Sequence, residues 1–153
     1  MALTASATVT GSTAGTADVA LTLSPTTALF SPANLVPGQS VGSPQLQVSN
    51  TGTVDEYYFI FADWKEVSPT TPREAQLLAD RLNIYIEASP ATVLYNGTLS
   101  GLYNQPSSGR LLVSPYDDLL TFVVSLPSTA GTIAQNLDLS VDLVFTAQAS
   151  PLA

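Results

Sequence analysis

A chain of 153 residues, 45% apolar and only 10% charged, fits one domain that buries about 70% of the surface its unfolded form exposes. Its polar surface must come from Ser, Thr, Asn and Gln instead of ion pairs. A net charge of -8, with Lys65, Arg73, Arg81 and Arg110 as the only cations, excludes the electrostatic footing that nucleic acid or an anionic lipid surface requires. With no histidine and no cysteine, Ser-His-Asp and Cys-His nucleophile systems, HExxH zinc sites and disulfide frameworks are excluded as well.

Residues 2 to 10 alternate with a period of two. Leu3, Ala5, Ala7 and Val9 fall on one face and Thr4, Ser6, Thr8 and Thr10 on the other, which predicts a strand with a weakly apolar face. Gly11 to Gly15 is small and polar, a hinge before a second strand from Asp18 to Leu23 in which Val19, Leu21 and Leu23 point one way. This divides the chain into an N-terminal arm, residues 1–11, and a single domain, residues 12–153. Pro25, Pro32, Pro37 and Pro44 confine the next stretch to loops and sheet edges, because proline cannot donate to a ladder.

Leu35 to Phe61 then reads as a Pro-Gly turn, a strand with Leu46 and Val48 on one face, an Asn50-Thr51-Gly52 turn, and an aromatic-rich strand from Glu56 to Phe61. Thr71-Pro72-Arg73-Glu74 has the form of a capping box, and Ala75, Leu78, Ala79 and Leu82 follow at helical spacing, predicting one short helix. From Leu82 the period returns to two, through Ile84, Ile86 and Ala88. A further strand from Val93 to Tyr95 is expected to end at Asn96-Gly97, with a short turn or helical piece from Thr98 to Tyr103. Leu111 to Val113 leads to Pro115 and Asp117-Asp118, and Leu120, Phe122, Val124 and Leu126 alternate. The longest alternation closes the chain: Leu137, Leu139, Val141, Leu143, Phe145 and Ala147 inside. The expected fold is all-β, an antiparallel sandwich of about eight or nine strands with one short helix.

Few residues carry candidate chemistry. Asp55-Glu56 and Asp117-Asp118 read as solvated turn acids, with Ca²⁺ binding through hard oxygens as the sharper alternative; neither pair has EF-hand spacing. Tyr57, Tyr58, Phe59, Phe61 and Trp64 read as core packing, with a sugar-binding platform as the alternative. Asn96-Gly97-Thr98 is both a glycosylation sequon and a plain Asn-Gly turn. No cofactor and no enzymatic activity are expected. Composition rich in Thr, Ser and Ala suggests an exported surface or filament protein. No run approaches the roughly 18 apolar residues of a membrane span. No charged n-region followed by an apolar h-region opens the chain, so any signal peptide is expected to be gone.

The N-terminal strand has two readings. It is either an edge strand of its own domain or a donor that completes the sheet of a neighbour by β-augmentation. Eight extended residues reach about 26 Å, enough to cross a sandwich. Burial of Leu3 and Val9 would contribute about 1.5–3 kcal/mol each, so ladder hydrogen bonds at about 1 kcal/mol net apiece must supply a comparable share. Such a contact is heterologous and grows open filaments.

Thr13 to Pro25 (TAGTADVALTLSP), Asn34 to Val41 (NLVPGQSV), Leu46 to Ile60 (LQVSNTGTVDEYYFI), Leu94 to Leu102 (LYNGTLSGL) and the end from Leu120 to Gln148 together resemble the camelysin/TasA family, in order over most of the chain. That family includes bacterial biofilm-matrix fibre proteins and related archaeal bundling pilins. The resemblance implies a jelly-roll-like sandwich, at the cell surface or outside it, that polymerises with itself head to tail by donor-strand complementation and bundles into matrix. It places the donor at Ala2, Leu3, Ala5, Ala7 and Val9, and an acceptor groove along Leu120, Phe122, Val124, Leu139, Val141, Leu143 and Phe145. The metallopeptidase label of some members does not transfer, since this chain has no histidine. Its single lysine departs from the Lys-rich bacterial members and leans towards the archaeal pilins. The rivals are a monomeric surface-layer or adhesin sandwich binding glycans through Tyr103 to Gly109, and a secreted peptidase.

Overall fold

In the computed structural model, residues 3–10, 20–24, 30–33, 38–43, 45–130 and 139–149 are described, with backbone alone for 3–10, 30–33 and 130. They form eleven strands and one α-helix: β1 (Leu3–Thr10), β2 (Leu21–Ser24), β3 (Phe30–Ala33), β4 (Ser40–Gly42), β5 (Leu46–Asn50), β6 (Glu56–Glu66), α1 (Pro72–Arg81), β7 (Asn83–Ala88), β8 (Thr92–Thr98), β9 (Gln105–Leu112), β10 (Asp117–Ser125) and β11 (Leu139–Gln148). One sheet has the order β3-β1-β11-β6-β9 and the other β2-β5-β10-β7-β8, with β4 also paired to β10.

Period-two patterning builds the core between them. β10 buries Leu120, Phe122 and Val124, β7 buries Ile84 and Ile86, β5 buries Leu46 and Val48, and β11 buries Leu139, Val141, Leu143 and Phe145. These alternate with polar or exposed neighbours, as strands with one buried face require. Helix α1 carries the expected capping box: Thr71 Oγ1 accepts from the Glu74 amide at 3.2 Å, and Glu74 Oε1 accepts from the Thr71 amide at 3.0 Å. It buries Ala75, Leu78 and Ala79, with Leu82 buried at its C-cap. The all-β sandwich with one short helix is therefore the fold.

Two local expectations change. The strand count is eleven among the described residues because β3, β4 and the proline-containing start of β9 also pair; β3 with Pro32 lies at a sheet edge, where a missing N–H is tolerated. The expected Asn50-Thr51-Gly52 turn is present, and it is a corner between sheets, since β5 belongs to one sheet and β6 to the other. Asn96-Gly97 does not end a strand, since β8 runs through it with Asn96 opposite Tyr85 and Gly97 opposite Ile84. The glycine has a different cause. A Cβ at Gly97 would lie 2.8 Å from Tyr95 Oη, whose hydroxyl donates to the Thr98 carbonyl at 2.7 Å, so the missing side chain lets the Tyr95 ring fold along its own strand. Ala2, the hinge from Gly11 to Gly15, Asp18, Val19, Pro25, Pro37, Pro44 and Leu137 lie outside the described residues.

Candidate assembly site

β1 lies inside its sheet, not at an edge. It pairs with β11 over eight consecutive positions, Leu3 opposite Leu139 through Thr10 opposite Thr146, and with β3 at Leu3–Ala33 and Ala5–Phe30. The β1–β11 pairing is parallel, whereas every other strand pair described is antiparallel. Parallel neighbours need a long connection, and here almost the whole chain separates the two strands. A lane flanked by β11 and β3 therefore holds a strand that residues 11–19 connect onward to Ala20 and β2.

The residues expected as donors fall in register with the buried face of β11. Leu3, Ala5, Ala7 and Val9 stand opposite Leu139, Val141, Leu143 and Phe145, the buried positions of β11. On its other flank β11 pairs with β6 over ten positions, so it is the fixed wall of the lane. Leu120, Phe122 and Val124 are buried too, but β10 belongs to the opposite sheet and pairs with β4, β5 and β7. They line the floor of the core facing the β11 sheet and offer no ladder to a donor.

Strand directions converge on one end of the sandwich. β1, β5, β9 and β11 finish there, and β2, β6 and β10 start there. Two corners close this end, residues 50–56 and 112–117, and hydrogen bonds stitch them together. Asn50 Nδ2 donates to the carbonyls of Val54 and Leu112, both at 2.9 Å, and its Oδ1 accepts from the Gly52 amide at 2.9 Å. The Ser114 amide donates to Asp55 Oδ1 at 3.0 Å, and Ser114 Oγ donates to the Gly52 carbonyl at 2.9 Å. Ala20, which follows residues 11–19, is held here: the Thr51 amide donates to its carbonyl at 3.1 Å, and its own amide donates to Glu56 Oε2 at 3.1 Å.

The acidic pairs expected as solvated turn acids are split by strand parity. Asp55 and Asp117 are exposed, while Glu56 and Asp118 share the inward parity of Tyr58 and Leu120 and are buried. Asp118 is fully answered. Arg110 meets it bidentately, Nε to Oδ2 at 2.9 Å and Nη2 to Oδ1 at 3.1 Å, and the Tyr58 hydroxyl donates to Oδ2 at 2.7 Å. Burial first, then the Asp118 charge, push the Tyr58 hydroxyl well above its ordinary range, and the hydrogen bond to Asp118 raises Arg110. Glu56 is only half answered: among the described residues Oε1 has no hydrogen-bond partner, and burial pushes its carboxyl up from 4.5 to about 7 against the lowering effect of the Ala20 amide. Among the described residues no group of three or more acidic, His or Cys side chains is placed to hold a metal ion.

The aromatic strand divides as alternation requires. Tyr58 and Phe59 are fully buried, Trp64 packs against the core, and Tyr57 and Phe61 are half-buried. Phe59 has outward parity yet is covered by β9, where Gly109, at φ +88°, brings backbone close; a Cβ there would lie 2.9 Å from Phe59 Cζ. Tyr103 is 71% exposed and meets Phe61 edge-on, with centroids 5.1 Å apart. Asn96 is exposed on β8, with its Oδ1 accepting from Asn83 Nδ2 at 3.1 Å. Among the described residues no helix is long and apolar enough to cross a membrane. No protein-family model matches the chain, and no curated protein matches it.

Proposed function

We propose that this chain is the structural subunit of an extracellular filament, polymerising head to tail as the β1 arm of one copy fills the lane between β11 and β3 of the next. The observation that carries this reading is the lane itself: β1 is the parallel intruder in an otherwise antiparallel sandwich, held along eight register positions of β11. Its tie to the body is nine residues, 11–19, rich in Gly, Ser, Thr and Ala. A strand from a second copy makes the same ladder contacts as the chain's own strand, so exchange between copies conserves the pairing energy and only relocates the linker. The resemblance to the camelysin/TasA family supports the same reading, as does the low-charge surface. Deleting residues 1–10 tests it: electron microscopy of the purified protein is expected to show filaments for the full chain and none for the truncated one, and filaments from the truncated chain would refute it.

Tyr103 favours a second reading. An exposed ring braced edge-on by Phe61, beside polar Asn104 and Gln105, is the kind of surface on which a sugar ring stacks, so a glycan-binding sandwich is the alternative. Glycan-array binding by a permanently monomeric protein, lost in Tyr103→Ala, would favour it.

A further inference from the structure

Chain direction settles where the two ends of the arm's linker lie. β1 runs parallel to β11, so Thr10 emerges beside Thr146, at the end of the sandwich where β11 finishes. Ala20 is clamped at that same end by Thr51 and Glu56. The mouth of the lane and the root of the arm thus share one end of the molecule. Between Thr10 and Ala20 there are ten peptide steps, which span at most about 33–36 Å when fully extended. When a neighbour's arm occupies the lane, the neighbour's own Ala20 must stay within that distance of the acceptor's mouth. Covalent reach therefore tethers the neighbour's Ala20 end within about one strand length of this end, and a contact between the two bodies there would hold it closer.

The surface there is suited to a contact. Three of the eight large apolar side chains exposed among the described residues lie at the end of β9 and in the corner that follows it: Leu111 at 45%, Val113 at 39% and Tyr116 at 67%. Their backbone is not loose. The Tyr116 amide donates to the Val113 carbonyl at 2.7 Å, the Asn50 amide donates to the Tyr116 carbonyl at 3.0 Å, and Ser114 is tied to Asp55 and Gly52. Cations are absent from residues 111–117, so nothing in the corner recruits an acidic partner; what it offers is apolar area on a preorganised turn. We propose that this corner is the surface on which the body of a second copy of the chain seats when strands are exchanged. The proposal rests on the donor-strand reading and adds a body-to-body contact to it.

The test uses full-length protein in two reporters. Val113→Ser combined with Tyr116→Ser removes the apolar corner, while Val67→Ser, exposed beyond the opposite end of β6, serves as control. Each is also made with Thr4→Cys and Ser140→Cys, register partners in β1 and β11 of a chain that has no cysteine of its own, so that oxidation of assembled filaments reports whose arm lies in which lane. The corner variant is expected to melt like the parent and to leave at least tenfold more protein unpolymerised at steady state, with Val67→Ser unchanged. Residual filaments should still cross-link between subunits. A corner variant that polymerises like the parent, with subunits cross-linked, overturns the docking surface and leaves strand exchange standing. Filaments of the parent that cross-link only within subunits overturn strand exchange, and with it this inference.

Discussion

The first and last strands of this chain lie side by side over eight positions and are held in opposite ways. β11 is anchored by what its side chains bury: Leu139, Val141, Leu143 and Phe145 are at most 3% exposed, and a long antiparallel ladder to β6 backs them. β1, with the sequence LTASATVT, has two large aliphatic residues and otherwise Ala, Ser and Thr. Backbone hydrogen bonds must carry a share of its attachment comparable to that of Leu3 and Val9 burial. On the donor-strand proposal, a strand that leans this far on its backbone is the one that an identical strand from another copy replaces, while β11 stays with its own core.

Substitutions graded by depth sharpen this contrast. Phe145→Ala should cost the most, about 3–5 kcal/mol in chemical denaturation, because its ring packs on Tyr58 with centroids 6.0 Å apart and is fully buried. A loss below about 1 kcal/mol would break the claim that β11 is core. Next comes Glu56. Its folded pKa of about 7 lies above the ordinary 4.5, so the folded chain binds more protons between those values, and stability is greatest below about pH 4.5, falls as pH rises through 7, and levels off beyond. The span is on the order of 3 kcal/mol, and Glu56→Gln should remove that slope from denaturation midpoints measured across pH 5–8. Asp118→Ala follows at about 2–3 kcal/mol, below the roughly 3–5 kcal/mol of a fully buried ion pair, since the Arg110 side chain is 27% exposed and can rehydrate. Last comes Ala5→Pro, which acts on the arm: it removes one ladder donor from a strand paired by β11 and β3 on both flanks, and should weaken the arm's seat by at least about 1 kcal/mol and reduce the filaments seen under the electron microscope. Normal filaments from Ala5→Pro would erase the distinction between arm and wall.

Much of the fold was legible because period-two runs such as Leu120 to Val124 and Leu139 to Phe145 admit few alternatives, and because Thr71 to Glu74 carries a capping box in plain residue types. What sequence reading missed was which sheet each strand joins. The Asn50-Thr51-Gly52 turn has hairpin chemistry, yet the Asn50 side chain spends its amide on Val54 and Leu112 and turns the chain into the other sheet. Asn96-Gly97 likewise carries turn residues inside a strand, where the glycine answers to the Tyr95 ring.

At the polar end of the core the signal was present and needed only parity. Glu56 stands two residues before Tyr58, and Asp118 two before Leu120, so each is placed inward by the alternation that identifies its strand. Arg110 could not be paired with Asp118 from sequence, because their contact depends on the corner between β9 and β10. The lane of β1 was half legible: the alternation of residues 3–9 marks a strand, but its parallel seat between β11 and β3 is a property of topology.

The central claim, that β1 of one copy occupies the lane of another, is tested most directly by the cysteine pair Thr4→Cys and Ser140→Cys. Neighbouring strands stand about 4.8 Å apart, within the Cα separation a disulfide spans. Filaments assembled under reducing conditions and then oxidised should give a ladder of covalent multimers on a non-reducing denaturing gel. A single monomer band, with both thiols consumed inside each chain, would contradict the account.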